Sequence, residues 1–168
     1  MQPTNAETET IETLYRRHSP ALLLFALAMT RERSRAQDAV HQVFLKLLER
    51  RGAAHAVDVK AYLFASVRNT LLNDAKVRKR EVPIDSESAW FDPPNRDYAA
   101  ELNLRRALGA LSDDQREVTI MHIWGDLTFS EIAEVLGVSP NTAASRYRYA
   151  VAKLRDAMCV REEPYANS

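Results

Sequence analysis

Apolar positions in this chain recur at helical spacing. Val40, Val43, Phe44, Leu47 and Leu48 lie three and four residues apart behind Ser34 and Gln37, which have the spacing of a capping box. The pattern predicts a helix running to about Arg50. Upstream, a first helix is predicted from about Glu7 to His18. Ser19-Pro20 then reads as an N-cap and first-turn proline opening a second helix that ends near Thr30. Proline suits that place because it lacks the amide hydrogen that goes unpaired there anyway. Asp58 caps a further predicted helix, in which Val59, Leu63, Val67, Leu71 and Ala75 share one side and which ends in a basic run near Arg80.

From Glu81 to Arg96 the periodicity stops. The segment is acidic, holds Pro83, Pro93 and Pro94, and predicts a linker between helical domains at 7–80 and 97–159. Trp90 and Phe91 within it read as packing on a neighbouring domain, with docking in a partner as the alternative. Beyond it, Asp97 beside Tyr98, Ser112 with Gln115 and Thr128 with Glu131 mark three helix starts, and Gly125 and Gly137 mark stops. Ser139-Pro140 opens a last helix to about Met158. With four glycines and no alternating β-branched stretch, the expected fold is all-α: two small helical domains joined by a linker, the second ending in a helix-turn-helix.

That motif spans Thr128 to Thr142. Ala133 is small where two helices cross, Gly137 permits a left-handed turn, and Val138 fills the space between the helices. On the second helix Ala143, Tyr147, Ala150, Val151, Leu154 and Met158 share one face, and Asn141, Thr142, Ser145, Arg148 and Tyr149 share the other. The polar face suits a major groove, with Asn141 and Arg148 placed for base edges and Thr142, Ser145 and Arg146 for phosphates.

Composition narrows the remaining choices. A 168-residue chain that is 46% hydrophobic can fold. Its longest apolar stretch, Ala21 to Met29, is too short to span a bilayer, and no signal peptide opens it, so a cytoplasmic protein without membrane insertion is expected. The single cysteine, Cys159, has no second thiol for a disulfide or a metal. Formal net charge is zero, yet the charges are segregated. Lys60, Arg68, Lys76, Arg78, Lys79 and Arg80 have only Asp74 as a nearby acid in sequence, and the acidic linker follows directly. Arg68, Asn69, Lys76, Lys79 and Arg80 fall within one third of a helical wheel, interrupted by Leu72; such a row suits a phosphate backbone.

Two stretches carry a family resemblance. Asp38-Ala39-Val40-His41-Gln42-Val43-Phe44-Leu45-Lys46-Leu47 and Ala61-Tyr62-Leu63-Phe64-Ala65-Ser66-Val67-Arg68-Asn69 resemble region two of the extracytoplasmic-function sigma factors of bacterial RNA polymerase. The second half is similar to region four, through Leu108-Gly109-Ala110-Leu111-Ser112, Gln115-Arg116-Glu117-Val118 and the helix-turn-helix. The resemblance implies an initiation factor that binds core RNA polymerase and promoter DNA, has no catalytic residue, cofactor or metal, and is monomeric when free. An anti-sigma protein is a further partner it leaves open. It implies clamp contact through Asp38, His41, Gln42, Leu45 and Glu49. It also implies minus-ten contact through Arg68, Asn69, Lys76, Lys79 and Arg80, with a base held by the loop from Gly52 to Val57. Minus-thirty-five contact would fall to Asn141, Thr142, Ser145, Arg146, Arg148 and Tyr149. Gln42, Ala144 and Tyr149 depart from the family pattern, which bears on clamp affinity and upstream recognition.

Two other readings compete. A dimeric helix-turn-helix regulator would use the same motif on a palindromic site, but would have no need of the basic helix. An enzyme would draw on His18, His41, His55 or His122, none of which sits in a ligand or triad pattern.

Overall fold

The computed structural model describes residues 10–50, 59–78 and 98–159. They form α1 (Ile11–Thr30), α2 (Arg33–Glu49), α3 (Val59–Arg78), α4 (Tyr98–Gly109), α5 (Asp113–Ile123), α6 (Phe129–Leu136) and α7 (Pro140–Cys159). Every regular element among the described residues is helical, and the helices make two units. In the first, α1, α2 and α3 pack against one another; in the second, α5, α6 and α7 do so, with α4 laid on α7. The units also meet, α1 against α5 and α3 against α6, so their buried residues form one continuous core.

Several predicted boundaries move. The expected break at Ser19-Pro20 is absent: α1 runs through Pro20 as one helix, capped by Thr10, whose side chain accepts from the Thr13 amide at 3.2 Å. Leu14, Leu22 and Phe25 are fully buried on a stripe that keeps phase across the proline. Burial of that stripe offsets the one backbone hydrogen bond the proline removes. Ser34 does not cap α2. Thr30 Oγ1 accepts from the Glu32 amide at 3.2 Å, which holds Glu32 extended as the N-cap, and Ser34 lies in the first turn bonded to the Glu32 carboxylate. Leu48 and Ala75, assigned to core stripes from spacing, are exposed, as is Met158.

The second unit follows its local signals more closely. Ser112 with Gln115 and Thr128 with Glu131 form complete capping boxes. Gly137 takes φ 68°, and its amide and that of Val138 both bond the Ala133 carbonyl. Ser139 accepts from the Thr142 amide at 3.1 Å at the start of α7. Gly125 departs from expectation. The left-handed residue after α5 is Asp126, at φ 55°. Glycine is required at 125 for space: a Cβ there would lie 2.6 Å from the Met121 carbonyl and 2.8 Å from the Phe64 ring of the first unit.

Arg116 fastens the α4–α5 turn from inside. Its guanidinium is 4% exposed and donates to the carbonyls of Leu108 and Leu111, each at 2.8 Å, and to the Asp113 carboxylate at 3.0 Å. The proposed caps Asp58 and Asp97, the linker with Trp90 and Phe91, and the loop from Gly52 to Val57 lie outside the described residues.

Candidate nucleic-acid and polymerase interfaces

The helix-turn-helix is built as its spacing requires. Ala133 is buried under α7, Val138 packs on the core between the helices, and Ala143 and Ala150 are fully buried on the inner face of α7. Beneath it lies an aromatic cluster that spacing did not reveal. His122 stacks on Phe129 with ring centroids 4.5 Å apart, meets Tyr147 edge-on at 4.6 Å, and bonds the Leu127 carbonyl through Nδ1 at 2.9 Å. The imidazole is thereby committed to packing α6 and α7 against α5.

The outer face of α7 carries exposed Asn141, Arg148 and Tyr149 and half-buried Thr142 and Ser145. Arg148 donates to the Ser145 hydroxyl at 3.1 Å. Arg146 turns back toward its own unit, with its guanidinium 3.6 Å from the Asp114 carboxylate. Its place among the phosphate contacts would require breaking that pair.

On α3, Asn69, Leu72 and Lys76 are exposed, whereas Arg68 is half-buried; Lys79 and Arg80 lie outside the described residues. The sequence placed one acid, Asp74, near this row, but the fold supplies others. Asp74 is taken by Arg35, whose Nη2 and Nε reach it at 2.8 and 3.1 Å. Arg68 pairs instead with Glu117 of α5 at 3.4 Å, and Lys60 donates to the Asp126 carbonyl at 3.0 Å. Burial pushes the Glu117 carboxyl above its ordinary value; Arg68 opposes the shift, and Asp114 and Asp113 add to it.

Asp38, His41, Gln42, Leu45 and Glu49 are all exposed along α2. Leu45 and Leu48, 58% and 56% exposed, flank an open groove with Ile11, Tyr15, His41 and Phe44. Tyr15 reaches His41 Nε2 at 3.3 Å and meets the Phe44 ring edge-on at 5.1 Å. From sequence, Leu45 and His41 of this groove were assigned to the clamp and Phe44 and Leu48 to the core stripe; its α1 side was missed because it depends on tertiary packing. Among the described residues no three histidine, cysteine or acidic side chains could share a metal ion, and no helix is long and apolar enough to cross a membrane.

A three-helix unit with a cation-bearing helix, coupled to a helix-turn-helix unit, defines a DNA-binding protein with two distinct binding surfaces. Comparison with known proteins makes this specific. The sigma-70 region 2 model matches residues 14–81, and the sigma-70 region 4 model matches residues 101–154. The chain is 27% identical to the ECF RNA polymerase sigma factor SigL of Mycobacterium tuberculosis, covering 89% of both chains. It is 28% identical to the ECF sigma factor EcfG of Rhodopseudomonas palustris, over 80% of this chain and 77% of that one. Its fold is similar to that of the sigma factor RpoE from Bartonella quintana, solved in complex with the anti-sigma factor NepR. The TM-score is 0.74 at 24% identity, covering 91% of this chain and 99% of that one. The chain belongs to the sigma-70 family of RNA polymerase initiation factors, in its extracytoplasmic-function group. It binds core polymerase and directs it to promoters. The dimeric regulator is not favoured, since it accounts for the second matched region and leaves the first without a role.

Proposed function

We propose that the two units divide the work of initiation, residues 7–80 serving the polymerase clamp and the minus-ten element, 81–96 linking, and 97–159 serving the minus-thirty-five element. Asp38, His41, Gln42, Leu45 and Glu49 meet the clamp. Arg68, Asn69, Lys76, Lys79 and Arg80 hold the separated strand, and Asn141, Thr142, Ser145, Arg146, Arg148 and Tyr149 enter the upstream groove. The observation that carries this reading is α3, which presents Asn69 and Lys76 to solvent on one helix while a complete helix-turn-helix stands on the other unit. Unpaired bases and phosphates are held by such polar and cationic rows. The polymerase performs the chemistry; this chain acts in the cytoplasm, carries no cofactor and is no enzyme itself. The complexes of the similar sigma factors RpoE and CnrH with NepR and with the cytosolic domain of CnrY support an anti-sigma protein as a further partner.

Co-purification with core polymerase and transcription from a promoter library test the assignment. An Arg68→Ala, Asn69→Ala chain is expected to bind core yet start few transcripts, and a Leu45→Glu chain to lose core. Full initiation by the double variant would overturn the strand assignment, and retained core binding by Leu45→Glu the clamp assignment.

A further inference from the structure

We propose that Tyr149 is a specificity-determining residue of α7: its ring reads a thymine in the upstream element by packing on the C5-methyl group of that base. The cations of this helix face are tied down. Arg146 is drawn back to Asp114 of α5 at 3.6 Å, and Arg148 donates to the Ser145 hydroxyl one turn earlier at 3.1 Å. Tyr149 stands beside them 68% exposed, more than any other large apolar side chain described in the second unit. Among the described residues no hydrogen bond, ion pair or ring contact holds it. Tyr147, two positions earlier, is by contrast committed to the His122 and Phe129 rings.

An exposed ring on a helix that faces DNA gains from leaving water only where it meets another apolar group. Base pairs display hydrogen-bond donors and acceptors in the major groove, and the thymine C5-methyl is the apolar group among them. Asn141, Ser145, Arg148 and Tyr149 follow one another at helical spacing, so a single face carries all of them and the ring enters the groove that Asn141 enters. A phenol has one hydroxyl and cannot make the paired bonds to O6 and N7 by which an arginine fork selects guanine. Tyrosine at 149 therefore sets a different base preference from the one a forked cation would set. Contact with a methyl releases no counterion, so the preference it gives is nearly independent of salt.

This role for Tyr149 rests on the placement of α7 in the upstream groove, and the experiment separates the two. Core polymerase carrying the full chain selects fragments from a duplex pool randomised in the upstream element. In the selected fragments each upstream thymine is then replaced by deoxyuridine, which pairs alike and lacks only the methyl. Wild type is expected to lose about fourfold in affinity at one position, the factor for one buried methyl. Tyr149→Ala, at an exposed site and checked for intact helicity, should bind thymine and deoxyuridine there equally. Tyr149→Phe should keep the preference, because the ring and not the hydroxyl makes the contact, and Tyr149→Arg should select guanine at that position. Thr142 and Ala144 also carry methyl groups on this helix, half-buried, so a deoxyuridine loss that persists in Tyr149→Ala assigns the contact to them and overturns the proposal. Equal binding of thymine and deoxyuridine by wild type at every upstream position overturns it too, as does loss of the preference in Tyr149→Phe. Selection of the same upstream sequences by an Asn141→Ala, Arg148→Ala chain would instead remove the underlying placement of α7.

Discussion

Replacing Arg116 by alanine should be among the costliest single changes in the second unit. The guanidinium is buried and makes three hydrogen bonds, two of them to main-chain carbonyls at 2.8 Å. The Leu108 carbonyl would keep its bond from the Leu111 amide at 3.2 Å, so the heavier loss falls on the Leu111 carbonyl. Stranding a buried acceptor costs about 1–3 kcal/mol, and losing a second charge-assisted bond adds about 1 kcal/mol. With the space left by the aliphatic stem, a total of about 3 kcal/mol follows. In a chain of this size that lowers the thermal midpoint by roughly 9 °C. Urea denaturation followed by far-ultraviolet circular dichroism measures the loss, and Arg116→Met separates stem packing from hydrogen bonding. A loss under about 1 kcal/mol for Arg116→Ala, or full stability in Arg116→Met, would refute the reasoning.

Gly137→Ala should cost about 1–2 kcal/mol in urea denaturation through backbone strain at φ 68°, since no atom lies within 4 Å of the added Cβ; a neutral result would show that the turn relaxes. Glu117 predicts a pH dependence opposite to that of a simple surface ion pair. Because burial raises its pKa above 4.5, the folded chain holds the proton more tightly than the unfolded one. Its contribution is therefore most favourable below the ordinary carboxylate range and is lost as pH rises through the raised value. Burial is the main cause of that shift, Arg68 of α3 opposes it, and Asp114 and Asp113 on α5 add to it. Subtracting the melting profile of Glu117→Gln from that of wild type isolates the effect, and a difference that grows in the other direction would contradict it. Finally, duplex binding by the full chain should fall with salt at a slope of about −2 in log units, as for about two phosphate contacts; a slope steeper than about −5 would show that more cations engage than the free chain exposes.

Wherever a short stretch of chain decides the geometry by itself, the sequence was sufficient. Ser112 with Gln115, Thr128 with Glu131, Gly137 and Ser139-Pro140 act through hydrogen bonds and dihedrals within four residues, and each does in the structure what its spacing implies. Failures came where a distant packing partner overrides local preference. Pro20 would end a helix in isolation, but its helix is held straight through by a buried stripe shared with α2 and α3. Ser34 is a local exception: the Thr30 hydroxyl four residues earlier holds Glu32 as the N-cap in its place. Gly125 looked like a turn residue and proved to be a point of close approach to Phe64, sixty-odd positions away in sequence. The interfaces split along the same line. Exposure of Asp38, Gln42, Leu45 and Glu49 follows from the phase of one helix, whereas the partners of Lys60, Arg68 and Arg146 are acids on other elements that no local pattern identifies.

Those partners explain how a chain with no net charge can serve as a DNA-binding factor. Several of its cations are occupied. Arg35 is held by Asp74, Lys60 by Asp126, Arg68 by Glu117 and Arg146 by Asp114, and all of these but Lys60 with Asp126 join different helices. Three of the pairs have a well-exposed acid, so each of those adds little to stability and yields readily to a stronger anion, whereas Arg68 with Glu117 is largely covered on both sides. A phosphate backbone presented by the polymerase at high local concentration is such an anion, because effective concentration makes the exchange intramolecular in character. Free duplex in bulk solution lacks that advantage and meets a neutral molecule. A shallow salt slope for the isolated chain would thus mean that the specificity of initiation depends on the assembly as much as on the recognition helix.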